Sequence, residues 1–212
     1  MIKGILFDFD GTLAPNLDLP DMRRQVIQLT QTTAVPDEIY RDQYIVEIID
    51  RSTAWLEQRE PEAAGAYHKQ AHALITRIEL DAAARTQPFP EVREYLAALQ
   101  ARKVHSAVVT RNCREAVLLT FPDLLEHVDL LFARDDVDHL KPDPRHLQQA
   151  LDALDLAPAQ TAMMGDGQLD MQTGRSLQML CVGVLSGSSN ADQLTQAGAD
   201  LVVERFNSYQ LD

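Results

Sequence analysis

The chain has 212 residues, 45% of them hydrophobic and 24% charged, which suits one large domain, or a domain with an insert, built on a proper apolar core. Its formal net charge of -13 argues against nucleic acid as a partner, because phosphate-backbone binders concentrate Lys and Arg. No apolar run approaches the ~20 residues of a membrane span. Met1-Ile2-Lys3-Gly4 lacks the marks of a signal peptide, and Cys113 and Cys181 are isolated, so a cytoplasmic protein is expected.

In chain order, residues 4–9 (GILFDF) read as a buried strand. Residues 15–87 hold no convincing strand. They carry three helical patterns, over about 20–32, 36–57 and 61–80, the second with Ile39, Tyr40, Tyr44, Ile45, Ile48 and Ile49 at helical spacing. Pro90 opens a helix over 91–102. A strand follows at 104–109, then a helix with Asn112 as N-cap and Glu115 completing a capping box. Residues 130–133 form the next strand, and Asp143-Pro144 starts a helix through about residue 154. Strands at 161–164, 180–185 and 200–203 complete the pattern. This alternation predicts an α/β, doubly wound parallel sheet from residues 1–14 and 88–212, with 15–87 as an inserted α-helical cap.

In such sheets ligands bind outside the carboxyl ends of the strands. Asp8 and Asp10 follow the first strand, and Thr110 follows the second. Lys141 stands in Lys-Pro-Asp-Pro beyond the third. Asp166 and Asp170 stand in Gly-Asp-Gly-Gln-Leu-Asp after the fourth. Each residue alone is ordinary, since an Asp at a strand end is usually a turn former. Their convergence on one rim is not ordinary. Asp8 and Asp10, two residues apart, share a side if strand geometry persists. The four carboxylates repel one another, and Mg²⁺, which takes oxygen ligands and keeps room for phosphate, would relieve this. A carboxylate can attack phosphorus, and a neighbouring carboxyl can move protons. Gly11 permits a close turn whose N–H groups could hold phosphate oxygens. Thr110 supplies a hydroxyl and Lys141 a positive charge.

These residues resemble the motifs of the haloacid dehalogenase-like hydrolase superfamily. The first is Asp8-Phe9-Asp10-Gly11-Thr12, the second Thr110, the third Lys141 and the fourth Gly165 to Asp170, all in the family's order over nearly the whole chain. The helical insert after the first motif is similar to the cap of the phosphoglycolate phosphatase-like subgroup. The resemblance implies an Mg²⁺-dependent phosphoric monoester hydrolase acting on a small phosphorylated metabolite, as a monomer or homodimer. It implies Asp8 as nucleophile and Asp10 as acid/base. The metal would be held by Asp8, the Asp10 carbonyl and Asp166, with Asp170 a further ligand or the partner of Lys141. Phosphate would meet Lys141, Thr110 and backbone N–H groups around Phe9, Asp10, Gly11 and Arg111.

Three positions depart from the family pattern. Gly167 replaces a common Ser or Thr, and Arg111-Asn112 stand where phosphoglycolate phosphatases often carry Asn-Lys. Thr12 favours phosphatase over mutase relatives, which often have Val there. The rival readings are a phosphomutase of the β-phosphoglucomutase type, a dehalogenase (against which Asp10 counts) and a non-catalytic binding protein on the same fold. The six His show no metal-ligand spacing, so none is assigned to zinc. Asp135, Asp136 and Asp138 read as solvated turn residues, Arg23 and Arg24 as a solvated helix face, and Gly187 to Asn190 as a loop capping the last helix, whose counterpart in the resembled family lies near the site.

Overall fold

Strand β1 (Gly4–Phe7) is buried along its whole length, as an apolar run without polar alternation requires. It lies centrally in the sheet of the computed structural model, which describes residues 1–210. The remaining strands are β2 (His105–Val109), β3 (Leu130–Phe132), β4 (Thr161–Gly165), β5 (Leu180–Val184) and β6 (Leu201–Val203). Their order is β3-β2-β1-β4-β5-β6, and every pairing is parallel. The chain lays β2 and β3 on one side of β1 and β4 to β6 on the other. The order therefore reverses between β1 and β4, the position at which doubly wound sheets bind ligands.

Helices α1 (Leu19–Thr30), α2 (Asp37–Tyr40), α3 (Ile45–Glu57), α4 (Pro61–Ala83), α5 (Val92–Ala101), α6 (Arg114–Thr120), α7 (Leu124–His127), α8 (Arg145–Leu154), α9 (Gln168–Ser176) and α10 (Ala191–Ala197) complete the chain. Two compact units result: Asp18–Ala82, and the remainder of the chain with the sheet.

In the sheet unit, strand residues alternate between two apolar layers. Ile5 and Phe7 join Val108, Met164 and Val182 on one face, with Leu96 of α5 and Val117 of α6. Leu6 joins Ala107, Val109 and Met163 on the other, with Leu147 and Leu151 of α8. Tyr95 meets Phe7 and Phe206 edge-on, with ring centroids 6.3 and 5.3 Å away. Burying a side chain such as Phe7 contributes about 1.5–3 kcal/mol.

In the helical unit, α1 starts at Asp18, whose carboxylate accepts a hydrogen bond from Asp21 N at 3.0 Å. Thr30 and Tyr67 join α1 to α4 through their hydroxyls, 2.7 Å apart. The single helix expected over 36–57 is two helices, α2 and α3. Arg23 lies against the connection: its Nε donates to Gln43 O at 3.2 Å and its Nη2 to Arg41 O, so both carbonyls find a partner outside a helical ladder. Arg23 is thus a tether between elements, while Arg24 pairs with Asp21 on the exposed face of α1.

The expectation about histidines fails for one pair. His68 and His72 are one turn apart on α4, with ring centroids separated by 4.4 Å. No helix among the described residues is long and apolar enough to cross a membrane.

Candidate active site

β1 delivers Asp8 to the rim, where its N–H donates to Met164 O at 2.8 Å and extends the β1–β4 pairing by one bond. The chain then turns tightly, with Leu13 and Ala14 N–H groups donating back to Phe9 O at 2.9 and 3.1 Å. Gly11 makes the turn possible. Its φ is +80°, and a Cβ there would stand 2.5 Å from Asp166 Cγ. Gly11 N–H is committed to Ala14 O at 2.7 Å, so the expected use of that donor for phosphate is replaced by a bond that closes the turn. Phe9 turns its side chain into the core and faces the rim through its backbone alone.

Lys141 is the centre of the cluster. It is 1% exposed, and its Nζ donates to Asp8 Oδ1 at 2.8 Å and Asp170 Oδ1 at 2.6 Å. Burial opposes its charge, but the two carboxylates hold its pKa above the ordinary value. The backbone is positioned as well as the ammonium. Lys141 N–H donates to His146 Nδ1 at 3.1 Å, and Arg111 donates to Lys141 O. Asp170 Oδ2 accepts from Gly167 N at 3.0 Å, so both Asp170 oxygens are engaged. Burial raises the Asp170 pKa, against the pull of Lys141.

Asp166 is held differently. Ser188 donates to its Oδ2 from both N and Oγ, at 2.6 and 2.8 Å, and Asn16 Nδ2 approaches the same oxygen at 3.5 Å. These bonds leave Oδ1 for another partner. Burial, then the neighbouring charge of Asp8, push the Asp166 pKa up to about 6. Ligating oxygens of Asp8, Asp166 and Asp170 lie within 4.8 Å of one another. With one lysine among three carboxylates, the donor set is oxygen-rich and carries excess negative charge, which fits a hard divalent cation such as Mg²⁺.

β2 delivers Thr110, which is buried and accepts from Asn112 N at 3.1 Å. Asn112 is not the helix N-cap expected of it; Cys113 occupies that position. Its side chain serves the rim instead. Oδ1 accepts from Cys113 N at 2.8 Å, while Nδ2 donates to Asp10 Oδ2 at 3.0 Å and Oδ1 at 3.3 Å. Asp135 takes over the capping, its Oδ1 accepting from Arg114 N at 2.9 Å. Asp136 accepts from Ala133 N at 2.8 Å and forks with the Arg114 guanidinium. Asp135 and Asp136 are therefore anchors between β3 and α6, not merely solvated turn residues.

The structure gathers Asp8, Asp166, Asp170 and Lys141 into one cluster and links Asp10 to it through the tight turn. It also adds contacts that the motifs do not include: Asn112 on Asp10, His146 on Lys141, Asn16 on Asp166, and, from the loop whose family counterpart lies near the site, Ser188 on Asp166. Ser186 Oγ donates to Gly11 O at 2.6 Å. The loop of Gly187 to Asn190 does cap α10, with Asn190 Oδ1 accepting from Gln193 N at 2.9 Å. It also reaches Asp166 closely enough that a Cβ on Gly187 would lie 2.0 Å from Asp166 Oδ2.

The family model for haloacid dehalogenase-like hydrolase matches residues 5–184. The chain is 27% identical to pyrophosphatase PpaX of Halalkalibacterium halodurans, over 95% of this chain and 92% of that one. It is 25% identical to phosphoglycolate phosphatase of Escherichia coli K12, over 97% and 90% of the two chains. The solved structure of β-phosphoglucomutase from Clostridium difficile superposes with a TM-score of 0.67 at 15% identity, covering 100% of this chain and 94% of that one, a likeness of fold.

Proposed function

We propose that this chain, which belongs to the haloacid dehalogenase-like hydrolase family, is an Mg²⁺-dependent phosphatase that hydrolyses a small phosphorylated metabolite through an aspartyl-phosphate on Asp8. The observation that carries the reading is the buried Lys141 bridging Asp8 and Asp170, at 2.8 and 2.6 Å, inside a carboxylate cluster at the switch point of the sheet. Two relatives named for hydrolysis of phosphate bonds support it.

Asp8 and Asp166, with the Asp10 carbonyl, would hold the cation, and Asp170 serves as the partner of Lys141, since both of its oxygens already accept hydrogen bonds. When bound, Mg²⁺ supplies positive charge that neutralises carboxylate and phosphoryl oxygens together. Lys141 engages Asp8 Oδ1 and leaves Oδ2 to attack. The new bond joins this oxygen to phosphorus as the ester P–O bond breaks, and Asp10 gives its proton to the leaving oxygen. Asp10 then takes a proton from water, which attacks the aspartyl-phosphate and releases inorganic phosphate with Asp8 restored. Asn112 holds Asp10 in place for both transfers. Thr110, the Arg111 backbone N–H and Lys141 receive the phosphoryl oxygens. The helical unit acts as the cap that selects substrate, and the protein works in the cytoplasm as a monomer or homodimer.

The test is phosphate release from a panel of phosphoglycolate, sugar phosphates, nucleotides, pyrophosphate and an aryl phosphate, with Mg²⁺ or with a chelator. Release that requires Mg²⁺ is expected. Interconversion of sugar-phosphate isomers without release would overturn the phosphatase reading in favour of a mutase.

A further inference from the structure

Within the helical unit, α3 and α4 bring three metal-ligating side chains together. Asp50 is exposed on α3. His68 and His72 stand at i and i+4 on α4, the first exposed and the second half-buried. The residues preceding the histidines, Tyr67 and Ala71, are buried in the helical unit. The imidazoles therefore lie along the shoulder of the packed face of α4, beside α3. One ligand atom from each of the three side chains lies within 4.8 Å of the others. Bonds of about 2.0–2.1 Å to a tetrahedral Zn²⁺ place neighbouring ligands about 3.4 Å apart, so small side-chain rotations bring the three atoms to ligating distance. The two rings are tilted by 52°, not stacked flat.

We propose that Asp50, His68 and His72 form a second metal site, specific for a late first-row transition cation such as Zn²⁺, that clips α3 to α4. Two imidazoles and one carboxylate are the ligand set such ions favour, whereas Mg²⁺ and Ca²⁺ prefer all-oxygen sites. Two histidines one turn apart are a recurrent way for a helix to present a pair of nitrogens to Zn²⁺. The intervening residues are Lys69, Gln70 and Ala71, so the glutamate that would make such a pair a hydrolytic centre is missing. The site is structural, with the remaining coordination positions filled by water. It is chemically distinct from the carboxylate cluster at the rim, whose ligands are all oxygen, and it does not depend on the function proposed for that cluster.

The test is isothermal titration of the full chain with Zn²⁺ in excess Mg²⁺, which saturates the oxygen site, alongside Co²⁺ titration followed by visible absorption. One Zn²⁺ per chain is expected, with a Co²⁺ spectrum of mixed nitrogen and oxygen ligation. Chelator-reversible thermal stabilisation should accompany it. H68A, which alters an exposed side chain, should weaken binding at least about tenfold, as should H72A and D50N. Far-UV circular dichroism checks that each variant is folded. Failure of the wild type to bind Zn²⁺ under excess Mg²⁺, or undiminished binding by folded H68A, would overturn the proposal.

Discussion

Asn112 Nδ2 stands 3.0 Å from one oxygen of Asp10 and 3.3 Å from the other, so the proton-transfer carboxyl of the proposed mechanism is held by an amide from the loop after β2. The same amide fixes its own orientation by accepting from Cys113 N. Asn112→Ala removes this hold without burying a new charge. Its kcat should fall by about 10²-fold, at the low end of what a positioned acid/base contributes. The pH profile of kcat should also change, and the melting temperature should fall modestly because the buried Cys113 N–H loses its acceptor. Steady-state kinetics across pH tests this, and unchanged kcat and pH profile would remove Asn112 from the machinery.

Lys141→Met should be costly in stability as well as activity. The ammonium is buried between Asp8 and Asp170, and its loss strands two carboxylates. Breaking a buried pair in this way costs about 3–5 kcal/mol. Adding Asp170→Asn removes one stranded charge, so the double variant should regain part of the loss. Urea unfolding of the wild type, both single variants and the double variant measures the coupling. Additive losses would contradict it.

Gly187→Ala tests the support of Asp166. The added methyl would fall 2.0 Å from Asp166 Oδ2, so the loop or the carboxylate must shift, with loss of the Ser188 hydrogen bonds. The Mg²⁺ concentration for half-maximal activity should rise at least about tenfold. An unaltered Mg²⁺ requirement would show that this loop does not hold Asp166.

His146 should make the stability of the protein sensitive to acid. Burial, then the nearby charge of Lys141, pull its pKa down to about 3 from the ordinary 6.5. Between those values an unfolded chain binds a proton that the folded chain refuses. This contribution to stability is complete above about pH 6.5 and is lost as pH falls toward 3, at up to about 1.4 kcal/mol per pH unit. His146→Asn keeps an acceptor for Lys141 N–H but does not titrate. The slope of unfolding free energy between about pH 4 and 6 should therefore be shallower in the variant. Parallel slopes would show that His146 takes up its proton without unfolding.

The strands were legible because central parallel strands are apolar on both faces: each expected strand lies within two residues of the observed one. Motif residues were legible because they sit at strand ends in chain order. What the sequence hid was tertiary. Nothing local marks the break between α2 and α3, where Arg23 from another helix takes up the Arg41 and Gln43 carbonyls. Asn112 has the chemistry of an N-cap, and only the proximity of Asp10 diverts it. Asn16 and Ser188 meet Asp166 from positions 150 and 22 residues away in sequence, a closeness that no spacing rule exposes. His68 and His72 were readable as an i, i+4 pair, but their third partner, Asp50, becomes visible only when α3 packs beside α4.

The central claim is that Asp8 attacks phosphorus, and the most direct measurement is phosphate release by Asp8→Asn on the best substrate of the panel, in saturating Mg²⁺. The account predicts no turnover above background from a protein with the wild-type circular dichroism spectrum and cooperative unfolding. Turnover at the wild-type rate would contradict it, and the carboxylate at the end of β1 would then serve the cation alone.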